Sequence, residues 1–237
     1  MKQNIRKWEW FDYPTLGSTN DEAKLVSLEI KDRHIVITAE EQTKGRGRIG
    51  RNWISKKGNL FMSQLFKPQI KISDLVFISS LSVAKTISKF AINLQVNIKW
   101  PNDILIKGKK FCGILIETEN DAVIIGIGVN LLNSPSDSEV IYPVCNLHDE
   151  GYNISRQQFI DAYLQIFDDY MDLYNKLGFK PIRQQWLQYA YKLDQQIGIR
   201  NNKEEKIGIY KGIDEEGLLL LEQNNKIIKI SVGDVFI

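Results

Sequence analysis

The sequence predicts an α+β fold, a mixed sheet packed with helices and followed by a small C-terminal β-barrel. Three observations carry this expectation. Runs rich in β-branched residues alternate with long stretches of helical periodicity as far as residue 191. Four strand-like runs separated by short turns crowd residues 96–129, which is the spacing of a hairpin meander. After Leu193 the texture changes, and five short β-rich segments alternate with turn signals. The chain therefore divides into residues 1–191 and 192–237.

Residues 8–13 read as a strand closed by Pro14 and Gly17. Ser18, Thr19, Asn20 and Asp21 then offer capping side chains for a helix reaching about Leu28, with Asp21 and Glu22 in its first turn. Ile35, Val36, Ile37 and Thr38 mark a strand over 34–39, and residues 60–66 a further one. Ser73 is placed to cap a long helix whose apolar stripe, from Leu75 to Ala91, belongs to the core. The meander follows as strands over 96–100, 103–106, 111–118 and 122–129, with turns at Gly108 and at Glu119, Asn120 and Asp121. Residues 133–148 form a polar loop. Ser155 caps a second long helix, Gly178 ends it, and a shorter helix spans 181–191. The barrel strands fall at 196–200, 206–213, 218–223, 226–232 and 234–237.

Composition narrows the function. The 237 residues are 43% hydrophobic and carry a net charge of only +2, which disfavours a general nucleic-acid or membrane-surface binder. Two cysteines make no disulfide framework, so a reducing cytoplasm is expected. Two histidines cannot build a clustered His/Cys metal site, and no protein metal site is expected. No signal-peptide core or membrane-spanning run is visible.

Positive charge is concentrated instead in one loop. Residues 44–53 set Arg46, Arg48 and Arg51 among Gly45, Gly47 and Gly50, and end on Trp53. Guanidinium forks match carboxylate or phosphate oxygens two at a time. No acidic residue interrupts 42–58, so the segment repels itself and is expected to be mobile until an anion neutralises it. The bland alternative is a solvated basic loop. Trp53 adds an indole face able to stack on a base or shield an intermediate.

Three further constellations each carry two readings. Lys99, Asn102 and Asp103 flank Pro101, either holding a phosphate or hydroxyl or forming an Asx-type turn. Lys110 precedes an apolar strand bearing Cys112 and Gly113, as a functional cation or as a solvated strand entry. Cys112 reads as a small apolar side chain, since no histidine is available as its base. Gly126 and Gly128 alternate on one strand face before Asn130, leaving a slot for a flat group or a tight strand contact.

In this order the segments resemble the biotin protein ligases: Ser18-Thr19-Asn20, Gln42 with the Arg-Gly loop, Lys99 to Asp103, Lys110 to Glu117, and Gly126 to Asn130, with a Gly-Asp-Val ending at Gly233. The likeness covers almost the whole chain. It implies a class II synthetase-like catalytic domain over 1–191 that binds biotin and ATP, with 192–237 as the C-terminal barrel. It further implies a two-step reaction. Biotin's carboxylate attacks the α-phosphorus of ATP with Mg²⁺ present, giving biotinyl-5′-AMP and pyrophosphate, and a lysine of a biotin carboxyl carrier domain then attacks the activated carbonyl and displaces AMP.

The resemblance also implies roles. Lys110 and Arg48 would be catalytic. Biotin would meet Ser18, Thr19, Asn20 and Gln42 at its ring end, and Gly45, Arg46, Gly47, Arg48, Lys110 and Gly113 along its tail and carboxylate. The nucleotide would meet Arg48, Arg51, Trp53, Asn102, Asp103 and Asn130. Some members carry an N-terminal DNA-binding domain; Trp8 already begins the catalytic part here, so no DNA binding is expected, while a homodimer stays open. Two alternatives stand beside this reading: a lipoate or octanoyl ligase or transferase of the same fold, and a non-catalytic RNA binder. Arg48→Ala and Lys110→Ala are expected to impair adenylation and leave the fold intact.

Overall fold

A computed structural model describes residues 2–136, 138–200 and 204–236. Eight strands form one mixed sheet in the order β1-β2-β3-β4-β8-β7-β6-β5. These are β1 (Lys2–Ile5), β2 (Trp8–Leu16), β3 (His34–Gln42), β4 (Leu60–Phe66), β5 (Val96–Lys99), β6 (Asp103–Ile106), β7 (Lys109–Glu119) and β8 (Ala122–Val129). Only β2 and β3 run parallel; the expected meander from β5 to β8 is present and antiparallel throughout.

Both sheet faces are covered on its central strands, which is why β3 buries Ile35, Val36 and Ile37 in succession. Val36 faces a large core shared with α2 (Leu75–Phe90), α3 (Arg156–Leu177) and α4 (Phe179–Leu187). Ile35 and Ile37 face a smaller core under α1 (Thr19–Ser27), together with Ala23, Leu65 and Ile124. Period-two alternation then decides which residues share the α1 face. Ser63, Gly126 and Leu115 stand in one row across β4, β8 and β7, and Phe61, Gly128 and Gly113 in the next. The functional motifs lie on this side, where α1 leaves part of the sheet uncovered.

Local chemistry explains the element ends. Ser155 caps α3 in a reciprocal capping box with Gln158, and Gly178 ends it at φ 71°. The next helix starts at once, at Phe179, and stops earlier than expected. Tyr189 and Tyr191 exchange backbone hydrogen bonds with Ile98, so this segment covers the free edge of β5 instead of continuing as helix. Ser73 does not cap α2; a 3₁₀ turn, Ile72–Asp74, intervenes. Ser18 occupies the α1 cap position without bonding the helix, which leaves its hydroxyl for other use. Strand β1 was not anticipated.

The C-terminal unit corrects the barrel expectation. It comprises β9 (Gln196–Arg200), β10 (Glu205–Ile213), β11 (Leu219–Gln223), β12 (Lys226–Ile230) and β13 (Asp234–Phe236), in the order β12-β11-β10-β9-β13. Among the described residues β12 and β13 do not pair, so the sheet is open. Closure would require β12 to meet β13, which is three residues long and bonded to β9 alone. Residue 237, expected in the last strand, and residue 137, in the polar loop, lie outside the described residues.

Candidate active site

The uncovered part of the sheet, the start of α1 and the Arg-Gly loop enclose a cavity. It is lined by Ser18, Thr19, Asn20, Gln42, Arg46, Gly47, Arg48, Arg51, Trp53, Asn102, Asp103, Lys110 and Gly113. Gly126, Gly128, Tyr142 and Asp234, with Asn52, Ile114, Leu115 and Ile127, complete the wall. The free volume is about 60 Å³, room for a few waters, so the cleft is nearly filled by its own side chains.

The Arg-Gly loop is folded, contrary to the expectation of a mobile segment. Arg46 and Asn52 form an antiparallel bridge, and the Trp53 amide donates to the Gly45 carbonyl at 3.0 Å. The reason is neutralisation from within the chain. Arg46 pairs with Asp21 at 2.7 Å and Glu117 at 2.8 Å. Burial alone would lower the Arg46 pKa, but those two carboxylates raise it. Arg51 pairs with Asp234 of the C-terminal sheet, and Arg48 donates to Asn102 Oδ1 at 2.9 Å with Asp234 4.0 Å away.

Lys110 is the deepest cation. Its ammonium lies 2.7 Å from Asp103 and over the rings of Tyr142 at 5.1 Å and Trp53 at 5.5 Å. Burial is the largest single influence and works against its charge, but Asp103 and Tyr142 together outweigh it, so the pKa rises. The backbone holds it as well. Lys110 N–H donates to Pro143 and its carbonyl accepts from Cys145, anchoring the loop that carries Tyr142. Lys99 shares Asp103 at 3.5 Å, as the turn around Pro101 led one to expect.

At the opposite end stand neutral groups. Gln42 Oε1 accepts from the Thr19 amide at 2.8 Å and lies 3.1 Å from its hydroxyl. Asn20 Nδ2 donates to Glu117 at 2.7 Å. The buried Ser63 hydroxyl sits 2.5 Å from Asn20 Oδ1 and 2.7 Å from Thr19 Oγ1. Burial opposes ionisation of Glu117, but donors from Lys24, Asn20 and Arg46 hold its pKa below the ordinary carboxylate value.

The glycine slot is occupied. A Cβ on Gly128 would come within 2.5 Å of the Trp53 indole, and one on Gly113 within 2.9 Å. The flat group in the slot is thus Trp53 itself, whose indole N–H is buried without a partner. Beside it lies a second, larger cavity of about 330 Å³, sharing Arg51, Trp53, Lys110 and Tyr142 and adding Asn130. Asn130 Nδ2 donates to Cys145, while its buried Oδ1 has no partner.

Of the residues to which the resemblance assigns a binding or catalytic role, all but Gly45 and Asn130 line the first cavity. Gly45 lies beneath the loop, where a Cβ would meet the Trp53 carbonyl at 2.6 Å. Glu117, Asp234, Tyr142 and Ser63 were not singled out. Glu117 carried a signal as the acidic end of an otherwise apolar strand, and Asp234 as part of the Gly-Asp-Val ending. Cys112 is fully buried, and burial pushes its thiol pKa up, as a packing residue requires. Among the described residues no group of three or more His, Cys, Asp or Glu is placed to hold a metal ion. No described helix is long and apolar enough to cross a membrane.

Sequence comparison agrees with this architecture. Residues 14–130 match the biotin/lipoate A/B protein ligase family, and the chain belongs to it. Residues 192–237 match the biotin protein ligase C terminal domain, which narrows the likeness to the biotin-ligase branch. The chain is 35% identical to the bifunctional ligase/repressor BirA of Bacillus subtilis, over 99% of this chain and 76% of that one. It is 33% identical to the biotin–[acetyl-CoA-carboxylase] ligase of Paracoccus denitrificans, over 86% of this chain and 90% of that protein. The biotin protein ligase from Aquifex aeolicus, solved with biotin and ATP, superposes with a TM-score of 0.86 over 98% of each chain at 24% identity.

Proposed function

We propose that this chain is an ATP-dependent biotin protein ligase, with residues 1–191 as its catalytic part and 192–237 as the C-terminal domain. The observation that carries the reading is the polarity of one cleft. Hydrogen-bonding groups of Ser18, Thr19, Asn20 and Gln42 line one end, and Arg48, Arg51 and Lys110 line the other. A cyclic urea with a carboxylate tail matches this arrangement, whereas the apolar end of a lipoyl or octanoyl group would cover these polar groups without a hydrogen bond to exchange with them.

The first step brings two anions together, and unit charges about 4 Å apart repel by roughly 4 kcal/mol at an effective dielectric of 20. Lys110, between the urea end and the second cavity, is the group to receive both the carboxylate and the α-phosphate. Arg46, Gly47 and Arg48 close over the tail, Gly113 leaves room beside Lys110, and Gly45 lets the loop pack tightly enough to do so. Arg48, Arg51, Asn102, Asp103 and Asn130 serve the nucleotide, with Trp53 as the movable wall between the cavities. Arg48, Arg51 and Lys110 have internal counter-ions, so the substrates exchange for Asp103 and Asp234 rather than meeting bare charge. Trp53 must shift, because 60 Å³ holds neither substrate.

Mg²⁺ fits this site only as Mg·ATP, since phosphate oxygens would have to supply most of its ligands beside Asp103 and Asn102. There it would draw off charge from the leaving pyrophosphate. The closed loop then excludes water from the mixed anhydride until a carrier-domain lysine arrives. The reading places the protein in the cytoplasm, where such carriers are made. Purified protein mixed with biotin, Mg·ATP and an acceptor domain should release pyrophosphate and biotinylate one acceptor lysine. Adenylate formation with lipoate but not with biotin would refute the assignment.

A further inference from the structure

We infer that Glu117 is a specificity-determining positioning residue, whose charge fixes the hydrogen-bond polarity of the ring-binding end through Asn20, Ser63 and Thr19. The inference rests on the biotin reading and adds to it a residue outside the set that faces ligand.

An ionised carboxylate only accepts, so Asn20 must present Nδ2 to Glu117, which it does at 2.7 Å. Its Oδ1 is thereby turned to Ser63, 2.5 Å away. A hydroxyl has one proton, and Ser63 must give it to that carbonyl oxygen. Its own oxygen is then left to accept, and Thr19 Oγ1, 2.7 Å away, has its proton to give there or to Gln42 Oε1 at 3.1 Å. Gln42 Oε1 accepts from the Thr19 amide and keeps a second lone pair for the Thr19 hydroxyl, while Gln42 Nε2 donates to Ser55. With its proton committed to Ser63 or to Gln42, Thr19 Oγ1 offers the cavity lone pairs only. It accepts a ring N–H and has nothing to give an oxygen in that place.

The geometry makes the relay tight. Ser63 is fully buried, and Asn20 is wedged against Gly126, where no Cβ could fit beside its amide. Lys24 at 2.8 Å and Arg46 keep Glu117 anionic, so the polarity has a fixed source. Glutamine in place of Glu117 can either donate or accept, and Asn20, Ser63 and Thr19 become free to reverse together.

The test compares biotin with its two cyclic carbamate analogues, each having one ring N–H replaced by oxygen. Calorimetry on the unaltered protein, Glu117→Gln, Ser63→Ala and the double variant gives each affinity. The unaltered protein should favour biotin over one analogue by at least about 100-fold, since an acceptor then faces an acceptor. Either single variant should cut that preference about tenfold or more, and the double variant should lose little beyond either one, although Glu117 and Ser63 do not touch. Ser63→Ala makes the same prediction should Glu117→Gln fail to fold. Equal weakening for biotin and both analogues, or additive effects, would overturn the relay while leaving the ligase reading in place. No biotin binding by the unaltered protein would overturn both.

Discussion

Lys110 Nζ lies 2.7 Å from the Asp103 carboxylate, and both side chains are only 15% exposed. The cation most suited to bridge a carboxylate and a phosphate is therefore also a structural partner. Sequence alone placed Lys110 at an accessible strand entry, where its loss would spare the fold. In the structure Lys110→Met leaves Asp103 with only the more distant Lys99. A stability loss of about 2 kcal/mol is expected, along with loss of adenylation. Asp103→Asn combined with Lys110→Met should restore most of the stability and none of the activity. Urea denaturation and pyrophosphate release measure the two; recovery of activity in the double variant would show that Lys110 acts only through the fold.

Gly128 is expected to be intolerant of any side chain. Its Cβ would lie 2.5 Å from the Trp53 indole, and the strand beneath cannot retreat because it is bonded on both sides. Gly128→Ala should cost about 1–3 kcal/mol by overpacking and weaken biotin binding. Adding Trp53→Ala should recover the stability. If the single variant melts and binds as the unaltered protein does, the indole does not occupy the slot in solution.

The Arg51–Asp234 pair ties the Arg-Gly loop to β13. Both partners are partly exposed, so its strength is modest, at most about 1 kcal/mol. Asp234→Asn should accordingly speed tryptic cleavage at the loop arginines by roughly threefold. The melting temperature should barely change. Unchanged cleavage would mean that backbone bonds such as Gly47 to Arg51 hold the loop unaided.

Glu117 gives a pH signature. Its folded pKa is lowered although burial works the other way, because Lys24, Asn20 and Arg46 favour the anion. Its stabilising contribution is complete above the unfolded value, near 4.3, and disappears as pH falls through the lower folded value. Stability of the unaltered protein should thus fall more steeply below about pH 4 than that of Glu117→Gln. Parallel acid-unfolding curves by circular dichroism would contradict the charge network drawn here.

Local signals carried much of this molecule. Ser155 and Gly178 delimit α3, the β-branched runs are strands, and the turns at Gly108 and Asn120 set the meander, because each depends on residues a few positions apart. The motif order was enough to gather Ser18, Gln42, Arg48, Asn102 and Lys110 around one cleft. The barrel failed because closure depends on whether two edge strands find each other, which no window of the chain records.

Periodicity and motif chemistry thus indicated most of the elements, the family the chain resembles and the cations that gather at the cleft. Folding settled what those cations do at rest. Arg46 meets Glu117 across 71 positions and Arg51 meets Asp234 across 183, so a loop that looks self-repelling in one dimension is neutral in three. The physical reason is range. Propensity and capping act within a turn of chain, while ion pairing and packing act through space, between segments whose distance in sequence is arbitrary.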